Sequence, residues 1–384
     1  MRRYINYYIY GYLNNYFVLK KLFVDPSKKS YKEFKIGEVF NYAGIRFRPK
    51  ASLIKLLSKL SWVELPIAFF VISIKYVLVL LRRTLTIQKQ YEGELFFPML
   101  AIENYREDSL LTCVKDCPLY FKIPFIRNKR CENTINILSE LKYSQIHKSL
   151  WLSFITIFVL YNKYKKRDFF LRSYTTFEFF ITCFFVENIE TTNKIVHYSL
   201  IDRWAFLFCN AKCETFLIQH GKLMSNLELI KHKPSSTVYY ISRTQKSVLD
   251  KVLFTCEPKT SSYRGGISFS GNNVLKGNGK KNVLVVCNSS FFDKEKKFVE
   301  LLFGEVNLYL KPHPGEKDHS KYEQLKQQYG ITILSKEFYP KVDIVISYDS
   351  TLADEYENVG ITVIRHDTIQ NCNEVESLII DRNK

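Results

Sequence analysis

The sequence predicts an α/β protein of two domains, each built on a parallel sheet with helices on its faces. Two observations predict this fold. From Lys194 onward, short runs rich in Val, Ile and Leu alternate with segments of helical periodicity. The chain also has 384 residues, which is more than one ordinary core accommodates, since about 150 residues per domain is usual.

The strands and helices follow one another in an order typical of doubly wound sheets. A first β-α-β unit combines strands in "KIVHYS" and "ETFLIQHG" with a helix in "LIDRWAFLFCNA". The glycine-rich segment 261–281 then resembles a linker or a set of exposed loops. Beyond it we predict strands at 282–287, 306–310, 331–334, 343–347 and 361–364, and helices at 293–303, 317–329 and 351–358. We therefore expect two Rossmann-type domains facing a central cleft, divided as 1–240 and 241–384.

The first half of the chain is dense in aromatic residues and is predicted to be mostly helical, as in "SLWLSFITIFVLYNKYKK". Its most apolar stretch, Leu65–Leu81, has 17 residues with Lys75 inside it. That length is at the lower limit for crossing a bilayer, so a buried helix or a strand pair is favoured. Because Arg82 and Arg83 follow directly, a peripheral contact with anionic headgroups stays open.

The charge and the cysteines restrict the partners and the compartment. Lys and Arg number 56 against 38 Asp and Glu, a net charge of +18 that favours anionic partners. The basic residues are dispersed and accompany no nucleic-acid-binding module, which argues against DNA or RNA as a ligand. Nine cysteines without CxxC pairs indicate reduced thiols in the cytoplasm and no zinc site. The N-terminal segment interrupts its apolar residues with asparagines and lacks a signal-peptide core.

Polar clusters follow several predicted strands, where an open parallel sheet binds its ligands. They are "QHG" at 219–221, "CNSS" with Ser289 and Ser290, "KPHP" with Lys311 and His313, and "SYDST" with Ser350 and Thr351. The last cluster opens a helix, whose unpaired amides and partial positive charge suit a phosphate. Helix capping by Asp349 or Ser350 is the alternative and is favoured for the segment taken alone. The neighbouring lysine and histidine shift the balance to phosphate binding.

Two further side chains, His313 and Glu355, have two interpretations each. The prolines flanking His313 restrict its backbone, which suits an imidazole that donates to a phosphate oxygen, with Lys311 adding charge; a loop histidine bonded to nearby backbone is the alternative. Glu355 lies one helical turn after Thr351, and it either accepts ribose hydroxyls or is a solvated helix-surface carboxylate.

The order of QHG, KPHP and "SYDSTLADEYENVG" over about 195–364 resembles that of bacterial GT-B glycosyltransferases that build capsule and lipopolysaccharide with CMP-activated ulosonic acids. These include sialyltransferases, polysialyltransferases and Kdo transferases. The motif pair is also similar to that of CDP-glycerol phosphotransferases of teichoic-acid type, whose HG histidine is a base. One departure is that the acidic D/E-D/E-G motif of such sialyltransferases has only partial matches here, in "YEGE" and "REDS".

The resemblance implies roles for particular residues. The first domain would bind the acceptor and the second the nucleotide-sugar donor, with Lys311, His313, Ser289, Ser290, Ser350, Thr351 and Glu355 as donor ligands. His220 or Asp202 would deprotonate the acceptor hydroxyl. For His220 the alternative is bracing of the interdomain turn with Gly221, and for Asp202 it is helix capping, which is favoured. No metal site of DxD type is present in the sequence, and no cofactor beyond the CMP-sugar is expected.

These implications define three hypotheses. The first is a CMP-sugar-dependent glycosyltransferase that acts on a glycan or a lipid-linked glycan, cytoplasmic and peripheral at the inner face of an anionic membrane. The second is transfer of glycerol phosphate or ribitol phosphate from a CDP-polyol. The third, outside enzymes, is a nucleotide-binding or membrane-binding partner protein without catalysis.

Overall fold

The structure is a computed structural model, and its first sheet has seven strands, all parallel, in the order β3-β2-β1-β4-β5-β6-β7. It describes residues 1–23, 61–83, 94–99, 119–125, 134–164, 175–264, 269, 275, 278–288, 291–313, 319–335, 338–348, 350–366 and 379. The strands are β1 (Leu95–Met99), β2 (Leu119–Lys122), β3 (Thr134–Asn136), β4 (Lys194–His197), β5 (Glu214–Ile218), β6 (Thr237–Tyr240) and β7 (Thr260–Tyr263).

The second sheet has five parallel strands in the order β10-β9-β8-β11-β12. Both sheets run outward from a central pair in the strand order of the Rossmann fold, with the order reversing between β1 and β4 in one and between β8 and β11 in the other. The predicted α/β, GT-B-like fold of two Rossmann-type domains is thereby confirmed. The strands are β8 (Asn282–Cys287), β9 (Asn307–Pro312), β10 (Thr332–Ile333), β11 (Ile344–Ser347) and β12 (Thr362–Arg365).

Three helices of the first domain, α2 (Ser61–Arg83), α3 (Tyr143–Tyr164) and α4 (Thr176–Asn188), are unusually apolar. Helix α4 buries eleven of its 13 residues, from Thr176 to Val186, as expected for a helix that is hydrophobic on all sides. A large core of aromatic and aliphatic side chains joins this helix to its neighbours and to one face of the sheet. The first domain also contains helices α1 (Arg2–Phe23), α5 (Arg203–Phe208) and α6 (Arg243–Val252).

The helices of the second domain have ordinary amphipathic surfaces. Helix α7, for example, buries Phe298, Val299 and Leu302 against the sheet, while Lys297 is exposed. Separate apolar clusters cover the two faces of the sheet, as expected for a parallel sheet with helices on both sides. These helices are α7 (Phe292–Leu302), α8 (Ser320–Tyr329) and α9 (Thr351–Asn358).

Three sequence predictions need correction. The division at residue 240 falls within the first sheet, because β7 pairs with β6; the first domain therefore extends to Tyr263, and the change of sheet falls in the glycine-rich segment after it. The first half is not only helical, since it supplies β1, β2 and β3. The stretch Leu65–Leu81 is a helix, as predicted, but it is not a buried one, because several of its large side chains are exposed.

Candidate active site

The polar strand ends of the two domains meet at one interface. The loop after β5, which contains Gln219, His220 and Gly221, lies against helix α9 of the second domain. Lys222 Nζ donates to Asp354 Oδ1 at 2.9 Å, and Asn358 of the same helix donates to the carbonyl of Ile241 at 2.8 Å. The structure thus brings QHG and the SYDST helix together, although the two motifs lie far apart in sequence.

A buried ion pair strengthens this interface. Arg264, which directly follows β7, donates through Nη1 to the carbonyl of Gln219 at 2.9 Å and through Nη2 to Glu355 Oε1 at 3.0 Å. Both side chains are less than one tenth exposed. The interpretation of Glu355 as a solvated surface carboxylate is therefore wrong, because the residue joins the two domains. Its predicted contact with ribose stays a prediction.

Asp354 forms a second link between the domains. Its carboxylate is buried and lies 2.8 Å from Lys222 of the first domain and 2.7 Å from Arg365 at the end of β12. Two cations around one buried carboxylate satisfy the condition under which a buried charge is tolerated. The loop that holds His220 is thus fixed on both sides of that residue. Before it, the carbonyl of Gln219 accepts from Arg264, and after it, Lys222 pairs with Asp354.

His220 has the properties of a neutral base. Burial lowers its pKa, while a hydrogen bond to the backbone of Tyr198 and the charge of Asp202 partly offset that effect. A hydrogen bond that raises the pKa of a histidine is one in which the ring donates to a carbonyl. Among the described residues the buried Nδ1 has no hydrogen-bond partner, so Nε2 carries the proton. Nδ1 then keeps its lone pair, which is the form that accepts a proton.

Asp202 caps a helix, as the alternative interpretation had it. Its Oδ1 accepts from the amides of Trp204 and Ala205 at 3.0 and 3.2 Å, at the start of α5. The backbone here also receives Gly11 of α1, where an added Cβ would lie 2.1 Å from the nitrogen of Arg203. The segment that begins at Asp202 accordingly packs closely against α1. Asp202 is less available as a base than His220, because its Oδ1 already accepts two backbone amides.

The SYDST segment lies at the switch point of the second sheet, where β11 neighbours β8. Ser350 caps α9 by accepting from the amide of Ala353 at 3.1 Å, and its hydroxyl lies 2.8 Å from that of Ser347. Thr351, the first residue of the helix, is partly exposed. Ser350 therefore caps the helix, as the alternative interpretation had it. The partial positive charge of this helix terminus nevertheless lies at the position where such sheets bind ligands.

In the KPHP segment, the side chain of Lys311 already binds other parts of the protein. Lys311 is buried and donates to the carbonyls of Ser335 and Phe338 at 2.7 and 2.8 Å, with its ammonium 4.1 Å from the centre of the Tyr339 ring. These contacts fit a brace for the neighbouring loop better than a phosphate ligand. His313 is half-buried and directly follows β9. Ser289 and Ser290 lie outside the described residues.

Sequence reasoning missed an aromatic group at the same edge of the sheet. The Phe291 and Tyr348 rings stack with centroids 5.5 Å apart, and His366 contacts Phe291 at 5.4 Å. These residues follow β8, β11 and β12, so the group flanks the switch point from three strands. In the sequence, this aromatic group is indicated only by Tyr348, which lies within the serine motif SYDST. The interdomain partners Lys222 and Arg264 had no sequence signal, because isolated basic residues carry no pattern.

A second missed cluster lies inside the first domain. His232 places Nδ1 2.8 Å from the carbonyl of Lys233 and Nε2 2.8 Å from that of Leu200, so both nitrogens must donate and the ring is an imidazolium. Cys209 supplies the counter-charge: burial alone would raise its pKa, but His232 and a hydrogen bond from His197 lower it to about 5. Burial lowers the pKa of His232, and the Cys209 thiolate more than offsets this.

Among the described residues, no group of three or more His, Cys, Asp or Glu could hold a metal ion. Five described cysteines form no disulfide bond: Cys183, Cys209, Cys213 and Cys287, which are buried, and Cys256, which is exposed. For these five, the prediction of cysteines without disulfides agrees with the structure.

Comparison with known proteins gives limited similarity. No family model matches the chain, and no curated protein does. A structure of the wall teichoic acid polymerase TagF with CDPG is 9% identical, with 84% of this chain and 81% of that chain covered and a TM-score of 0.40. MurG from Acinetobacter baumannii is 10% identical, with 74% and 89% covered and a TM-score of 0.32. The GtfA/B complex is 9% identical, with 50% and 47% covered and a TM-score of 0.31. The assignment of the fold depends on the strand order of the two sheets.

Proposed function

We propose that the chain is a glycosyltransferase that moves a sugar, an ulosonic acid, from a CMP-sugar to a hydroxyl of a capsule or lipopolysaccharide glycan. The observation that carries the proposal is the contact between the loop of His220 and helix α9, which begins at the switch point of the second sheet. Among the described residues, His220 Nδ1 has no hydrogen-bond partner. A nucleotide phosphate at the switch point and a base in the opposite domain are the two parts that such a transfer needs.

The proposed chemical step is attack of the acceptor on the anomeric carbon of the donor. The acceptor hydroxyl oxygen forms a bond to the anomeric carbon, and Nδ1 of His220 takes its proton. The bond from that carbon to the phosphate oxygen breaks, and CMP leaves with the electron pair. The N-terminus of α9 and His313 offset the charge that develops on the phosphate. The Phe291 and Tyr348 rings flank the same edge, where a pyrimidine base could contact an aromatic face.

The loop geometry favours His220 as the base over Asp202. The Arg264 and Lys222 contacts hold its loop against α9, and preorganisation of this kind is what a proton acceptor requires. Asp202, in contrast, uses Oδ1 for two backbone amides. The proposed transfer uses no metal: the helix terminus contributes its partial positive charge at the leaving group, and His313 donates a hydrogen bond to it.

One observation favours a second candidate. His220 is followed by Gly221, and the HG histidine of CDP-glycerol phosphotransferases acts as a base. A CDP-polyol would use the same switch point for its diphosphate, and the acceptor hydroxyl would attack phosphorus instead of carbon, releasing CMP. The two reactions release the same nucleotide but add different masses to the acceptor.

A donor panel tests the proposal. The purified full chain is incubated with acceptor glycan and, separately, with CMP-sialic acid, CMP-Kdo, CDP-glycerol and CDP-ribitol, and both CMP release and product mass are recorded. Transfer of an ulosonic acid supports the first candidate, and addition of a polyol phosphate replaces it with the second. A folded sample that is inert to all four donors contradicts both and leaves the non-catalytic partner protein.

Two substitutions assign the donor site. His313→Ala is expected to weaken CMP binding and transfer together, because the imidazole would lose its contact with the phosphate. His319→Ala is the matched control, since that histidine lies in the same domain at the start of α8 and makes no side-chain cap. Equal CMP affinity in the two variants would remove His313 from the proposed site.

A further inference from the structure

Helices α2 and α3 expose large apolar side chains over several turns. On α2 these include Phe70, Val77 and Leu81, which are 65%, 52% and 62% exposed. On α3 they are Trp151, Ile155 and Phe158, which are 65%, 46% and 55% exposed. The spacing in each set is that of one helical stripe. We call these six residues the α2/α3 apolar face.

The two stripes lie side by side. Helices α2 and α3 pack on each other, with the Phe69 and Phe154 rings 4.8 Å apart and the Tyr76 and His147 rings 5.5 Å apart. The contacts pair rising numbers on α2 with falling numbers on α3, so the helices are antiparallel. The stripes therefore form one continuous surface, and an exposed apolar area of this kind marks an interaction site.

The segment Leu65–Arg82 of helix α2 is long and apolar enough to cross a membrane, and only 17% of the segment is buried. Its other side, however, is attached to the domain: Ala68, Ile72 and Val79 are buried, and the Lys75 ammonium pairs with the buried Glu178 of α4. A helix held to a folded domain at its middle by an ion pair cannot also span a bilayer. It can lie in the interfacial region with its free side in the acyl chains.

Cations lie at one end of the α2/α3 apolar face. Arg82 at the end of α2 is exposed, as are Lys142 and Lys148 at the beginning of α3. The antiparallel arrangement places the end of α2 beside the beginning of α3, so Arg82 and Lys142 lie at the same end of the face, and Lys148 lies six residues farther along α3. Trp151 lies one turn beyond Lys148, and aromatic and basic residues together are typical of contact with lipid headgroups.

We propose that the α2/α3 apolar face docks the protein on the surface of an anionic phospholipid bilayer, with both helices parallel to the membrane. Phe70, Val77 and Trp151 enter the acyl boundary, while Arg82 and Lys148 contact headgroup phosphates. A second copy of the chain is disfavoured as the occupant, because the charge complementarity of the face is to an anionic partner. The inference does not depend on the identity of the sugar donor.

Vesicle flotation tests the docking. The full chain is mixed with phosphatidylcholine vesicles, with or without phosphatidylglycerol, and is expected to float with the anionic vesicles. Val77→Glu and Trp151→Glu are each expected to reduce binding about tenfold or more, because a buried apolar side chain is replaced by a charge. Phe303→Glu is the matched control, since Phe303 is 51% exposed in the second domain. That variant should bind like the wild type.

The charge contribution is measured separately. Arg82→Gln and Lys148→Gln are each expected to lower the affinity for anionic vesicles about fivefold and to leave binding to neutral vesicles unchanged. Light scattering and melting temperature are recorded for every variant. No flotation of the wild type, or equal flotation of Trp151→Glu, overturns the proposal. A wild-type dimer that Trp151→Glu dissociates also overturns it and assigns the face to a second copy. CMP binding is followed in the same samples, so failure of docking and failure of the proposed transfer are distinguishable.

Discussion

The first domain exposes large apolar side chains along two helices and pairs buried charges within itself, whereas the described part of the second domain exposes only Phe303 and Val359 among such side chains. The buried carboxylates of the second domain, Asp354 and Glu355, pair with Lys222 and Arg264 at the interface. The first domain encloses the Lys75–Glu178 pair and the Cys209–His232 pair and exposes Phe70 and Trp151. The second has apolar strands and places ion pairs such as Lys296–Glu300 at the surface. The strands and helices of the second domain therefore follow largely from apolar periodicity, whereas those of the first domain also depend on specific buried pairs and on an exposed apolar surface.

The largest expected effect comes from the buried pair at α2. Lys75→Met leaves the Glu178 carboxylate buried without its cation, which should cost roughly 3–5 kcal/mol of the free energy of unfolding at neutral pH. Burial already raises the pKa of Glu178, and Lys75 opposes that rise. A folded pKa above the unfolded one means that the folded state gains stability as the pH falls, so the variant should recover part of its loss in acid. Urea titrations at pH 7 and pH 5 would show this; an equal loss at both values would contradict it.

The next largest loss of stability is expected at Gly11, where the backbones of α1 and α5 approach closely. Gly11→Ala would place a Cβ 2.1 Å from the nitrogen of Arg203, so helices α1 and α5 must separate. Forced overpacking of this kind costs about 3 kcal/mol. Gly221→Ala is the control, because an added Cβ there meets nothing within 4 Å. Thermal unfolding of both variants checks the prediction, which fails if their melting temperatures fall equally.

The thiolate–imidazolium pair predicts a smaller, pH-dependent effect. The pKa of Cys209 is lowered to about 5, so its contribution is complete above the unfolded thiol pKa and is lost as the pH falls toward 5. The pKa of His232 is raised, so its contribution is complete below the unfolded imidazole pKa and is lost at higher pH. Between those two unfolded values the pair holds one proton in both states and its net contribution is flat.

Cys209→Ser is therefore expected to lose about 2 kcal/mol on this plateau, because the imidazolium keeps its two carbonyl partners without the thiolate. The loss should shrink below about pH 6, where the unfolded state also protonates histidine. Denaturant titrations from pH 5 to pH 9 measure it. Cys213→Ser, at a buried free thiol outside the cluster, is the control and should show no such pH profile.

The smallest effect is expected in the second domain. Lys296→Ala removes an exposed pair on α7, with 3.6 Å between Lys296 Nζ and Glu300 Oε1. Such pairs contribute less than about 0.5 kcal/mol. A loss comparable with that of Lys75→Met would remove the contrast between the two domains.

The same contrast explains what the sequence could predict. The strands and helices that were predicted from Lys194 onward agree with the structure to within a few residues, because their apolar periodicity is regular. Strands β6 and β7 and helix α6 were not predicted, and β7 lies partly in the segment that was predicted to be a linker. Strand β1 was missed, since it carries Pro98 in a central strand, where proline is normally excluded. The exposure of α2 was also missed, because apolar residues occupy both of its sides.

The candidate site was only partly predictable. His220 and the SYDST helix were found because both follow strands of a parallel sheet. The Arg264–Glu355 and Lys222–Asp354 contacts join residues 91 and 132 positions apart, and single basic residues give no indication of such partners. The position of Lys311 beneath the loop, with its ammonium on backbone carbonyls, also depends on tertiary packing.

In the proposed reaction, His220 accepts the proton of the acceptor hydroxyl at the interface of the two domains. The most direct measurement compares wild type with His220→Ala for CMP affinity by calorimetry and for transfer under saturating CMP-sugar. We expect CMP affinity within about twofold of the wild type, and a transfer rate lowered about 10² to 10⁴-fold, the usual contribution of a positioned general base. An unchanged transfer rate in a folded His220→Ala protein would contradict the account.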